Sequence, residues 1–211
     1  MIALALAATA QADFTLVPVL DASDGLVSPI GIESIEGDPR LFLIEIDGRL
    51  RIVENGSLVP EPYFDVGSEL LASFFTGLRG VAFHPEYATN GFSYLWYDAP
   101  SPSGAVVDMV LARITRSATD PDRADPTTLV ELLREPQTER GHGSSDIEFG
   151  ADGFLYAVLG DGGLPGDPTC NAQDPTSLMG TMIRVDVDSA FPYAIPASNP
   201  FVGDPLVRDE I

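Results

Sequence analysis

The feature that most limits what this chain can fold into is one pattern written three times: a short apolar strand, a polar turn closing on glycine, then a second and more apolar strand. The copies read SPIGIESIEGDPRLFLIEI, GLRGVAFHPEYATNGFSYLWY and HGSSDIEFGADGFLYAVLG. Gly31 and Gly80 are 49 residues apart, and Phe83 and Phe149 are 66 apart. A recurrence of this order, with several strands per unit, is the signature of β-propeller blades. A propeller needs about 4–8 blades to remove its exposed strand edges. The length of 211 residues supplies only three to four, so the chain is expected to be part of a longer ring with an open edge.

Local signals agree with an all-β plan. The 20 Gly and 18 Pro imply many turns and short elements. In RLFLIEIDGRLRIVENG, Arg40 to Gly56, apolar residues alternate on both sides of Asp47-Gly48, which predicts a β-hairpin on a two-residue type I′ turn. Further strands are expected at Gly80–His84, Phe92–Tyr97, Val106–Thr115, Leu129–Leu133, Ile147–Phe149, Phe154–Leu159 and Ile183–Val187. Turn clusters such as Asp120-Pro121-Asp122 separate them.

Charge narrows the partners. With 32 acidic and 11 basic residues the net charge is -21, which repels phosphate backbones and anionic lipid, so nucleic acid is not an expected partner. Every basic residue is arginine. Without lysine there is no Schiff base and no Walker-type phosphate contact. Cys170 is the one cysteine, so it has no internal disulfide partner and no assigned role. Residues 1–12, MIALALAATAQA, end in the small-x-small pattern of an export signal, without a preceding positive charge. The chain is therefore expected to be periplasmic or secreted, with residues 13–211 forming the propeller part. No later run approaches the ~20 apolar residues of a membrane span.

Two histidines differ in setting. His84, at the end of a strand in Phe83-His84-Pro85, is expected to bond loop backbone as a structural residue. His142, in Gly141-His142-Gly143-Ser144-Ser145, enters an inner strand on a polar segment. An imidazole there can act as general base toward a substrate hydroxyl; the alternative is a solvent-facing loop residue. Aligning the repeats places Thr76 opposite His142. Phe75, Thr76, Gly141, His142 and the Gly160–Gly163 turn, with Asp161 and Gly162, are then expected to line one pocket. Asp161, Asp167 and Asp174 could offer hard oxygens to calcium, but Asp before Gly or Pro is ordinary turn chemistry, and no metal site is assigned. No G-x-S-x-G, G-x-G-x-x-G after a strand, or H-E-x-x-H is present.

Four stretches resemble the glucose/sorbosone dehydrogenase family, the pyrroloquinoline quinone-dependent soluble aldose sugar dehydrogenases: GLVSPIGI with LFLIEIDGRLRIVENG; GLRGVAFHPEYATNGFSYLWY; GHGSSDIEFGADGFLYAVLGDGG; and AQDPTSLMGTMIRVDVD leading to PYAIPASNPFVG and RDEI. The resemblance implies a partial six-bladed propeller, exported, whose complete form carries the quinone and calcium. It also implies that His142 takes the proton of a sugar's anomeric hydroxyl while hydride passes to the quinone, giving a lactone, and that an external acceptor then takes the electrons. The chain departs from the family pattern at Gly141 and Ser144-Ser145, at Phe75, which replaces a polar residue, and at Gly162, which replaces a glutamine of one branch. The family's arginine-asparagine-proline segment and most cofactor ligands would be expected beyond Ile211. Two other readings remain: a non-catalytic extracellular propeller that binds a protein or glycan, and a calcium-dependent lactonase.

Overall fold

The computed structural model describes residue 15, residues 17–71 and residues 76–211. The proposed export signal lies outside these residues. Each copy of the repeat forms the first two strands of one antiparallel sheet, so the described residues carry three sheets. The first contains β1 (Pro29–Ser34), β2 (Leu41–Glu45), β3 (Arg49–Glu54), β4 (Ser57–Leu58) and β5 (Phe64–Asp65), in the order β1-β2-β3-β4 with β5 also pairing with β3. The second is β6 (Leu78–Phe83), β7 (Phe92–Ala99), β8 (Val107–Arg116) and β9 (Ala124–Gln137). The third is β10 (Ser144–Phe149), β11 (Leu155–Leu159) and β12 (Met182–Val185). One short helix, α1 (Tyr87–Asn90), sits in the turn between β6 and β7.

The repeat extends to its irregularities. The register slips between Pro29 and Gly31 in β1, between Leu78 and Gly80 in β6, and between Ser144 and Asp146 in β10. These are one bulge at one structural position, separated by the same 49 and 66 residues as the sequence repeat. A bulge sharpens the twist of a strand and re-aims the residues that lead into it. The turns between paired strands also match: Gly37, Gly91 and Gly153 all have positive φ, at 78°, 68° and 82°. The three sheets are blades of a partial β-propeller, as the repeat predicts.

Apolar faces hold the blades together. Phe42, Ile44, Leu50 and Ile52 of the first sheet pack with Val81, Leu95, Tyr97 and Val110 of the second. Tyr94, Trp96, Met109 and Leu111 on the other face of the second sheet pack with Ile147, Leu155, Ala157 and Ile183 of the third. The central sheet is buried on both faces, which is why SYLWY reads as a continuous apolar run without alternation. Each of its large side chains contributes about 1.5–3 kcal/mol by leaving water.

Two expectations change. The β2–β3 connection is a three-residue loop, Ile46 to Gly48, because Glu45 pairs with Arg49. Only Gly48 takes a positive φ, 110°, whereas a type I′ turn needs two. Tertiary contacts decide this: the Ile46 N–H donates to the Ser28 carbonyl at 3.3 Å and its carbonyl accepts from the Leu78 N–H at 2.9 Å. The strand expected at Leu129–Leu133 runs over Ala124–Gln137. Pairing with β8 through two register shifts carries it past Pro126 and Pro136.

Candidate functional site

The His142 turn is built from backbone first. Residues 141–143 lead into β10 and residues 160–163 lead out of β11, and the two strands pair, so the two turns meet. The Gly160 N–H donates to the Gly143 carbonyl at 2.8 Å, and the Gly162 N–H donates to the His142 carbonyl at 2.9 Å. A Cβ at Gly160 would stand 2.1 Å from the His142 carbonyl oxygen, so this close approach requires glycine. His142 itself takes φ 51°, a left-handed conformation that costs a non-glycine residue about 1–2 kcal/mol.

That conformation brings the ring to Asp161. His142 Nδ1 lies 2.9 Å from Asp161 Oδ1, which also accepts the Gly163 N–H at 3.1 Å. The Asp161 carbonyl is held by Asn171 Nδ2 at 2.8 Å. A carboxylate oxygen accepts, so Nδ1 carries a proton, and in the neutral ring Nε2 is the acceptor. His142 is 44% exposed at its side chain against 17% for Asp161. The arrangement is an accessible imidazole acceptor held by a more buried carboxylate.

The other predicted site residues divide. Gly141 stands against Gly163, its Cβ position 3.7 Å from the Gly163 carbonyl, so it belongs to the same rim. Gly162 is buried, and a Cβ there would meet Met179 Sδ at 2.8 Å and Gln137 at 3.1 Å. It underlies the rim and offers it no surface. Thr76 is buried, and its hydroxyl donates to the Leu71 carbonyl. Phe75 lies outside the described residues. Asp167 accepts from the Asn171 and Ala172 N–H groups, and Asp174 from Thr176, so both make turns.

His84 is the opposite case. It is buried, its Nδ1 accepts from the Glu86 N–H at 3.0 Å and from Asn90 Nδ2 at 2.8 Å, and its Nε2 donates to Asp188 at 3.1 Å. It ties the end of β6 to the turn after β12. A cavity of about 570 Å³ lies among Arg51, Tyr63, Phe64, Arg123 and their neighbours and shares no residue with the His142 turn. Sequence reasoning missed the pairing of Asp161 with His142, which lie 19 residues apart, and it missed Asp98 and Gln137 beneath them. For Asp98 the available signal was a polar residue at the end of the apolar run Tyr94–Tyr97; Gln137, in the polar stretch Arg134–Arg140, carried none.

The family model for Glucose / Sorbosone dehydrogenase matches residues 26–211. The chain belongs to the glucose/sorbosone dehydrogenase family. It is 33% identical over 195 residues to Hedgehog-interacting protein of Homo sapiens, a match that covers 86% of this chain and 28% of that protein. It is 25% identical over 139 residues to quinoprotein glucose dehydrogenase B of Acinetobacter calcoaceticus, covering 58% of this chain and 29% of that one. The PQQ-bound aldose sugar dehydrogenase of Streptomyces coelicolor superposes with a TM-score of 0.67 at 25% identity, over 86% of this chain and 50% of that one. The chain thus spans about a quarter to a half of the relatives it matches.

The family quinone is a tricarboxylate, and it needs several cations around it. Near His142 in sequence the described residues offer one, the exposed guanidinium of Arg140. Among the described residues no group of three or more His, Cys, Asp or Glu stands together to hold a metal ion. The residues present do not fit the quinone and calcium on their own. Among the described residues no helix is long and apolar enough to cross a membrane.

Proposed function

We propose that this chain forms part of an exported sugar-oxidising propeller and supplies its general base, His142. The observation that carries the reading is the 2.9 Å contact between His142 Nδ1 and Asp161 Oδ1, in a chain whose family includes sugar dehydrogenases. A carboxylate that holds Nδ1–H leaves Nε2 of the neutral ring as the acceptor for the proton of an anomeric hydroxyl. Asp161 then stabilises the imidazolium that forms. Gly141 keeps the rim open beside the ring, where Gly163 backs it. The hydride would pass to pyrroloquinoline quinone held by the rest of the ring, with calcium beside it as a redox-inert Lewis acid and an external acceptor taking the two electrons downstream; the residues described here supply the proton half of the reaction.

The test is a polypeptide extended to the full length of its relatives, loaded with quinone and calcium and assayed by dye reduction with aldoses. His142→Gln is expected to lower turnover about 10²–10⁴-fold, the usual contribution of a positioned base. Turnover that survives the substitution rejects the role. The greater identity to Hedgehog-interacting protein than to the quinoprotein dehydrogenase favours a second reading, a non-catalytic extracellular propeller that binds a protein or glycan. On that reading the full-length protein takes up no quinone.

A further inference from the structure

Two buried polar side chains lie beneath the His142 turn, and the proton chemistry above does not use them. Gln137, the last residue of β9, is 3% exposed, and neither Oε1 nor Nε2 has a hydrogen-bond partner among the described residues. Asp98 in β7 is fully buried; its Oδ2 accepts from the Gly77 N–H at 3.0 Å and Arg79 Nε at 2.7 Å, while its Oδ1 has no hydrogen-bond partner among the described residues. These unpartnered atoms converge. The point a Gly143 Cβ would occupy is 3.4 Å from Asp98 Oδ1, 3.4 Å from Gln137 Nε2 and 3.6 Å from Gln137 Oε1. On its other side Gln137 meets Gly162, whose Cβ position is 3.1 Å from Gln137 Cβ and 3.3 Å from Oε1.

Gln137 is therefore wedged between the turn that carries His142 and the turn that carries Asp161. Asp98 fixes the neighbouring blade to the same point: its carbonyl accepts the Leu71 N–H and its N–H donates to the Gly77 carbonyl, both at 3.0 Å. Burying an amide without a partner costs about 1–3 kcal/mol, and an apolar side chain of the same length avoids that cost. Stability alone does not account for glutamine here. Wedged between two glycine turns, the side chain resists displacement of either turn by packing, and its amide dipole stands beside the Asp98 carboxylate oxygen, an electrostatic tie that an apolar wedge of the same shape lacks.

We propose that Gln137, with Asp98, is a positioning residue that holds the His142 and Asp161 turns at hydrogen-bonding distance and ties them to the second blade. The proposal rests on the reading of His142 as the base, and its test does not use sugar oxidation.

The chain has two histidines, so ¹⁵N spectra of the imidazoles resolve both tautomers. In the unsubstituted chain His142 is expected as the Nδ1–H form. Gln137→Met keeps length and removes the amide; Gly143→Ala leaves Gln137 in place and puts a methyl at ordinary contact distance between it and Asp98. Both are expected to move His142 toward a mixture of tautomers while His84 stays as Nε2–H. His142 unchanged in both variants, with the His84 signal intact, overturns the proposal. If Gln137→Met loses the His84 signal through unfolding, Gly143→Ala alone decides. Absence of sugar oxidation in the unsubstituted full-length protein, with the tautomer response kept, removes the dehydrogenase reading and leaves the positioning role standing.

Discussion

His84 and His142 carry their protons on opposite ring nitrogens. His84 accepts at Nδ1 from Glu86 and Asn90 and donates from Nε2 to Asp188, whereas His142 donates from Nδ1 to Asp161. In both rings the neighbours choose the tautomer, and the choice separates a residue that closes a joint from one that keeps an acceptor accessible.

His84→Ala is expected to destabilise the chain by about 1–3 kcal/mol, because it empties a buried site and leaves the half-buried Asn90 amide and the Glu86 N–H without their acceptor. Urea unfolding monitored by tryptophan fluorescence measures this. A midpoint equal to that of the unsubstituted chain contradicts the bridging role.

Asp161→Ala removes the acceptor that selects the His142 tautomer. In the quinone-loaded full-length protein turnover is expected to fall by about 10²-fold, as for misplacement of a catalytic group, with less effect on KM. Rescue by Asp161→Glu is expected to be partial, since the longer arm keeps the charge and changes the reach. Steady-state kinetics on the three forms separates these outcomes.

Trp96 is fully buried, and its Nε1 has no hydrogen-bond partner among the described residues. Trp96→Ala is expected to cost about 3–5 kcal/mol. Trp96→Phe is expected to cost well under half of that, because it deletes an unsatisfied donor along with the volume. Thermal unfolding of both variants followed by circular dichroism tests the difference.

Glu33 is pushed up to about 7 by burial first and then by the nearby carboxylates of Glu148 and Asp146. Its folded value lies above its unfolded one, so between about pH 4.5 and pH 7 the unfolded chain loses this proton first and stability falls as pH rises. Below that window the group contributes nothing. Glu33→Gln is expected to flatten this part of the profile and to raise stability at pH 8 by roughly 1 kcal/mol, a figure kept small because the side chain is partly solvated. Urea midpoints at pH 4, 6 and 8 read the slope.

The paired strands, their repeat and the position of His142 ahead of the third inner strand were legible in the sequence because they depend on local chemistry. Apolar runs mark strands, and glycine marks the positive-φ turns at Gly37, Gly91 and Gly153. The same locality explains the failures. The Asp47-Gly48 turn lengthened to three residues because Ile46 is held by Ser28 and Leu78, and no short window contains all three. Thr76 shares a repeat position with His142, yet it is buried and bonded to Leu71. Repeat position sets where a side chain starts and not what surrounds it. The contact of His142 with Asp161, and the convergence of Gln137 and Asp98 beneath it, exist only once β10 pairs with β11 through its bulge and the second and third sheets stack. Sequence determined which residues stand at the rim; the register and stacking of the strands decided which of them touch, because hydrogen bonds of about 3 Å depend on atomic positions that a linear spacing does not specify.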